Sequence, residues 1–268
     1  MEIAVQLYSV RDCINSADDF MKALEEIKAM GYDGVEFAGF FRKDAAYARK
    51  VCDDNGLKII SNHTLFEDLY YDTDKRKQIF DDCKTIGADY LVVAYLMEDC
   101  RPGVGDFGKY VNGMKELGRQ ALDNGITLCY HNHSFEFEIE VNGKYLFDEI
   151  FDCIGVELLK PQPDLAWIAV GCEDPVKYMK KYNGNIPTVH LKDFYSEELL
   201  LREPKKGIRP DFRPVGYGML DVADVIRTAT KCGTKWLIVE QDEKSVMRPD
   251  LTYMDNVRMS IDYIRSLG

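Results

Sequence analysis

Nine residues, YHNHSFEFE from Tyr130 to Glu138, hold two of the chain's four histidines together with Glu136 and Glu138. They follow an apolar run, Ile126 to Cys129, that reads as a strand. Residues two apart in a strand point to the same side, so His131 and His133 share a face where the strand ends, with Glu136 in the loop beyond. That is half of a metal site. The other half comes from later apolar runs that each end on one ionisable side chain: Asp164 in PQPDLAW, His190 in TVHLKD and Glu240 in LIVEQDE. Glu240 continues the run Leu237 to Val239, where an acid is costly unless it is paired or metal-bound. The plainer alternatives are a hydrogen-bonded core histidine for His190 and a turn residue after Pro163 for Asp164.

Two or three carboxylates with one imidazole and no thiolate suit Mn²⁺, Mg²⁺ or Co²⁺ better than a structural zinc site. Such an ion can grip a ketone and its neighbouring hydroxyl and stabilise the enediolate formed when the proton between them leaves. Carboxylates or histidines on either side of that carbon act as base and acid. His63, Tyr8, Phe66, Tyr95 and Trp167 are expected to line the pocket, with Lys192, two residues after His190, as a further substrate contact.

A site fed by several strand ends requires strands that all run the same way. The chain alternates short apolar runs with glycine-terminated helical ones. Strands are expected at Glu2 to Leu7, Gly34 to Phe37, Leu57 to Ser61, Tyr90 to Ala94, Ile126 to Cys129, Val156 to Lys160, Pro187 to Leu191 and Trp236 to Glu240. Amphipathic helices fall between them, for example from Ser16, which can cap, to Gly31, which stops the helix. Eight such units predict an α/β fold, a single (β/α)₈ TIM barrel spanning residues 1–268, and 268 residues is a normal length for that fold. All four histidines, 63, 131, 133 and 190, then fall at strand ends, where such barrels keep their active sites. A doubly wound sheet is disfavoured because no early turn reads G-x-G-x-x-G. GVGDFG at Gly103 to Gly108 follows the fourth strand and is read as a loop.

The net charge of −12 works against a nucleic-acid partner, since that affinity rests on neutralising phosphates. No stretch approaches the roughly 20 apolar residues of a membrane span. The chain opens directly into IAVQLYSV, and a cytoplasmic location is expected. The eight cysteines contain no C-x-x-C pair, which argues against a zinc knuckle or redox motif. The connection from Asp193 to Leu220 carries the one basic cluster, Arg202, Lys205, Lys206, Arg209 and Arg213. It reads as a solvated loop, with a lid or a contact for an anionic group as the sharper alternative.

IAVQLYSVRD, YHNHSFEFE, PQPDLAW, VHLKD, PVGYGMLD and WLIVEQDE together resemble the xylose-isomerase-like barrel superfamily of sugar phosphate isomerases and epimerases. Within it the chain is most similar to the inosose-dehydratase-like, 3-keto-sugar-processing branch. The resemblance implies a divalent ion, Mn²⁺ foremost with Mg²⁺, Co²⁺ or Zn²⁺ as alternatives, held by a Glu, Asp, His, Glu set. Asp164, His190 and Glu240 match the last three. Strand five departs, because the glutamate position aligns with His131. Either Glu136 folds back as the ligand, leaving His131 and His133 for proton transfer, or His131 ligates. The first is preferred, since a loop can supply the hard oxygen these ions favour.

The expected function is a metal-dependent sugar isomerase or epimerase working by proton abstraction next to a ketone. His131, His133, Glu136 and Glu240 are its catalytic groups, and a small carbohydrate is its substrate. The alternative is a lyase or dehydratase on a keto-inositol or 3-keto-glycoside, toward which the strand-five histidines tilt. A DNA-repair role like that of the AP endonuclease branch is more distant. It is disfavoured by charge and by too few histidines for a trinuclear zinc site. The resemblance also implies a homodimer.

Overall fold

The computed structural model describes residues 1–200 and 207–268. Eight parallel strands run around a barrel: β1 Glu2–Gln6, β2 Gly34–Phe37, β3 Lys58–Thr64, β4 Tyr90–Val93, β5 Thr127–His131, β6 Lys160–Gln162, β7 Thr188–Leu191 and β8 Trp236–Val239. Each pairs with its sequence neighbour and β8 returns to β1. The ring closes between β6 and β7 through a single bridge, Asp164 to His190, in which the His190 amide donates to the Pro163 carbonyl at 3.0 Å. Two expected site residues therefore form the closing seam.

The strand period of two sorts the side chains into layers. Ile3, Val5, Leu128, Tyr130, Val189, Leu191, Leu237 and Val239 face outward and pack with the buried sides of the helices. Ala4, Ile60, Tyr90, Val92, Cys129, Trp236 and Ile238 make a separate apolar cluster inside the barrel. One pleat further along the same strands the inward residues become polar: Gln6 after Ala4, His131 after Cys129, Glu240 after Ile238. The strands come close enough at β2 that a Cβ on Gly34 would lie 2.6 Å from the Lys58 carbonyl oxygen, which calls for glycine there.

Helix Ala17–Met30 begins with Ser16 Oγ accepting from the Asp19 amide at 3.1 Å and ends at Gly31 with φ 100°, as its sequence signals predict. Strand six differs from expectation. Gly155, with φ 95°, turns the chain, and its carbonyl accepts from the Leu158 and Leu159 amides, so residues 156–159 form a turn and the strand is Lys160–Gln162. The Asp193 to Leu220 connection contains an antiparallel pair, Asp193–Tyr195 with Asp211–Arg213. Arg202, Lys205 and Lys206 of the basic cluster lie outside the described residues. Arg209 is exposed, and Arg213 is held by Asp211 at 3.0 Å over the Tyr195 ring. Among the described residues no helix is long and apolar enough to cross a membrane.

Candidate metal centre at the barrel mouth

Glu36 of β2 is the hub of the inner polar layer and is fully buried. Its Oε1 accepts from Gln6 Nε2 at 2.8 Å and lies 2.6 Å from His190 Nε2 and 2.9 Å from His63 Nε2. Its Oε2 accepts from Gln162 Nε2 at 2.8 Å and from the Ser61 hydroxyl. Burial alone would raise its pKa, but His63 and His190 hold it well below the usual carboxylate range. Glu36 falls inside the expected strand Gly34 to Phe37 and has no role in the sequence reading. The signal was available, because an acid closing in on an apolar run, GVEF, is the pattern that singled out Glu240.

His190 is paired on both ring nitrogens, with Nδ1 2.7 Å from Glu240 Oε2. Burial works against its charged form, yet Glu36 and Glu240 outweigh that and push its pKa up to about 10. Around it, ligand atoms of His131, Asp164, His190 and Glu240 lie within 4.8 Å of one another, and all four residues are buried. Each comes from a different strand end, β5 to β8. Asp164 serves twice: Oδ1 caps helix Leu165–Val170 by accepting from the Trp167 amide at 2.9 Å, which frees Oδ2 for the mouth. Asn132, unremarked between the two histidines, holds this corner by accepting from the Asp164 amide at 3.0 Å.

Lys192 also points inward. Its ammonium is 3.1 Å from Asp164 Oδ2, 3.0 Å from Glu240 Oε2 and 2.8 Å from Asp242 Oδ2, and the side chain is 1% exposed. The expected substrate contact is thus a buried ion pair with three acids. Its approach to Asp164 Oδ2 lacks hydrogen-bond alignment, and that oxygen has no hydrogen-bond partner.

Glu136 does not join the group. The short turn Phe135–Phe137 carries it behind the strand, where it accepts from the Tyr130 hydroxyl and, at 2.9 Å, from the His133 amide. With two local donors it has no need of an ion, and burial raises its pKa to about 8. The preferred strand-five assignment of the sequence reading is therefore corrected: the residue β5 brings to the group is His131. Burial, followed by the neighbouring His190, keeps His131 well below its usual pKa, and burial followed by Lys192 lowers His133 to about 3. Both imidazoles are neutral.

His63, Tyr95, His131, His133 and Glu240 line a common cavity of about 420 Å³ with Tyr8 and Asp242. Tyr95 meets the His133 ring edge-on at 5.2 Å, and Trp167 lies 5.5 Å from it. Phe66 is buried instead against Tyr70 and Tyr110, away from the pocket residues.

Two imidazoles and two carboxylates from separate elements suit a divalent cation of the Mn²⁺, Co²⁺ or Zn²⁺ type. Asp164 Oδ2 is buried without a hydrogen-bond partner, as a ligand for an ion would be, and His131 brings Nε2 to 3.8 Å from it. The charges agree: the four acids Glu36, Asp164, Glu240 and Asp242 face at most three cations, Lys192 and the His63 and His190 rings, which leaves an excess of negative charge within the group. The residues fit the ion.

A family model described as xylose isomerase-like TIM barrel matches residues 24–267. Inosose dehydratase of Clostridium botulinum (strain Alaska E43 / Type E3) is 24% identical over 265 residues, covering 90% of this chain and 88% of its own. A sugar phosphate isomerase/epimerase from Parabacteroides distasonis ATCC 8503 superimposes with a TM-score of 0.77 at 21% identity, covering 99% of this chain and 93% of its own. The IolI protein, solved with a bound zinc atom, superimposes with a TM-score of 0.72 at 14% identity over 100% of this chain and 98% of its own. At these identities the solved structures speak for the fold alone. With the family model spanning nearly the whole barrel, the chain belongs to the xylose isomerase-like TIM barrel family.

Proposed function

We propose that this chain is a divalent-metal-dependent dehydratase acting on a small polyhydroxylated ketone, with keto-inositols as the first candidates. The observation that carries this reading is one cavity edge that combines an ion-holding set, His131, Asp164, His190 and Glu240, with the neutral imidazole of His133. When bound, the ion supplies Lewis-acid charge that favours the enolate of a ketone. Glu36 fixes the orientation of His190 through its Nε2, the kind of outer support that metal-bound imidazoles need.

His133 is the base. Its ring lines the cavity, and with Nδ1 buried it is Nε2 that is left to meet the substrate. It takes the proton from the carbon beside the ketone, and the C–H electron pair forms the enolate. As the carbonyl re-forms, a C=C bond forms and the C–O bond to the next hydroxyl breaks. That oxygen leaves as water with the proton His133 carried. The step is redox-neutral and needs no co-reactant.

Elimination is favoured over epimerisation because one base can both take the proton and return it to the leaving oxygen. Inverting a stereocentre calls for groups on two faces, and β5 offers imidazoles rather than a glutamate at the mouth. The full-length similarity to inosose dehydratase supports the same choice, which reverses the order of preference drawn from the motifs. The test is incubation of manganese-loaded protein with keto-inositols, ketoses and 3-keto-glycosides in D₂O. The expected result is an unsaturated product lighter by one water. Deuterium in a recovered or isomerised sugar, with no loss of water, would instead assign an isomerase or epimerase.

A further inference from the structure

We infer that the Lys192 ammonium is a built-in rival of the divalent ion, which weakens ion binding and lets the barrel stand without it. The inference rests on the ion site proposed above. Two of that site's four ligand residues, Asp164 and Glu240, already hold the ammonium at 3.1 and 3.0 Å. Lys192 follows His190 by one pleat, so the strand itself aims it at the same point, and at 1% exposure it has no route to solvent without repacking. An ammonium and a divalent ion sharing two buried carboxylates repel strongly, because salt and water screen little there. The third acid offers a way out. Asp242 Oδ2, 2.8 Å from Nζ, lies outside the ion-holding set and its side chain is 26% exposed, so the ammonium can lean onto it when the ion enters.

Without the ion, Lys192 instead neutralises acids that would otherwise repel one another. Removing its charge should therefore tighten ion binding while loosening the metal-free fold, a pairing that a merely structural lysine would not produce.

The experiment is isothermal titration of metal-stripped wild type, Lys192→Met and Lys192→Gln with Mn²⁺, with melting temperatures recorded with and without the ion. Both variants should bind on the order of tenfold tighter or more, and should gain more in melting temperature on ion addition than wild type does. The glutamine variant keeps a polar contact to the acids, so it remains informative if the methionine variant fails to fold. Wild-type or weaker affinity in a folded variant overturns the rivalry while leaving the ion site standing. Failure of wild type to take up any ion overturns the site and the inference together.

Discussion

The Nε2 atom of His190 lies 2.6 Å from Oε1 of Glu36, a residue 154 positions away in the chain. The contact turns the other ring nitrogen, Nδ1, toward Glu240 and the mouth. Replacing Glu36 with glutamine should therefore weaken divalent-ion affinity by about 10- to 100-fold. The new amide would also face the Gln6, Ser61 and Gln162 donors, at a cost of about 1–3 kcal/mol in denaturant unfolding. Unchanged Mn²⁺ affinity in Glu36→Gln would remove Glu36 from the site.

Ion uptake should expel a proton. His190, with its pKa pushed up to about 10, is charged at neutral pH and must become neutral to ligate. Titration at pH 7 in buffers of different ionisation enthalpy should report release of about one proton per ion, with apparent affinity rising toward pH 10. The same shift has a signed effect on the metal-free fold. Its stabilisation is fully present below the ordinary histidine pKa and fades as pH climbs from there to about 10.

His133 can be separated from ion holding. His133→Gln should keep full metal content and the barrel's circular dichroism while lowering kcat by about 10²- to 10⁴-fold. Turnover at the wild-type rate would move the base elsewhere, with His63 the next imidazole lining the cavity.

Glu136 predicts a pH effect of the other kind. Burial raises its pKa to about 8, so the folded chain holds a proton that the unfolded chain releases near the ordinary glutamate value. Stability should fall as pH rises between those two values, by up to about 1.4 kcal/mol per unit from this group. Glu136→Gln should flatten that slope in urea unfolding at pH 5 and pH 8. An identical slope would show that Glu136 is ionised in the fold.

The strand ends were the most legible part of the sequence, because Asp164, His190 and Glu240 each interrupt an apolar run at a place where only pairing or ligation offsets the cost of burial. The strand period also sufficed for His131. Glu136 misled because hard-ligand chemistry favours a carboxylate, while its true partners, the Tyr130 hydroxyl and the His133 amide, are set by a tight turn that spacing does not reveal. Glu36 was visible by the same rule as Glu240, but its hub role depends on side chains from β1, β3, β6 and β7 meeting across the barrel. Lys192 is expected from the sequence as a substrate contact, and only the inward pleat at the end of β7 makes it a buried partner of Asp164, Glu240 and Asp242. The sixth strand was misplaced because Val156, Leu158 and Leu159 are apolar enough for a strand, whereas Gly155 turns the chain there.

One divalent ion held by His131, Asp164, His190 and Glu240 is the claim on which the chemistry depends. Metal content after exhaustive dialysis of Mn²⁺-loaded wild type, His190→Ala and Glu240→Gln tests it most directly, with circular dichroism to confirm the barrel. The account predicts one ion per chain in wild type and none in either variant. Full occupancy in both folded variants would contradict it.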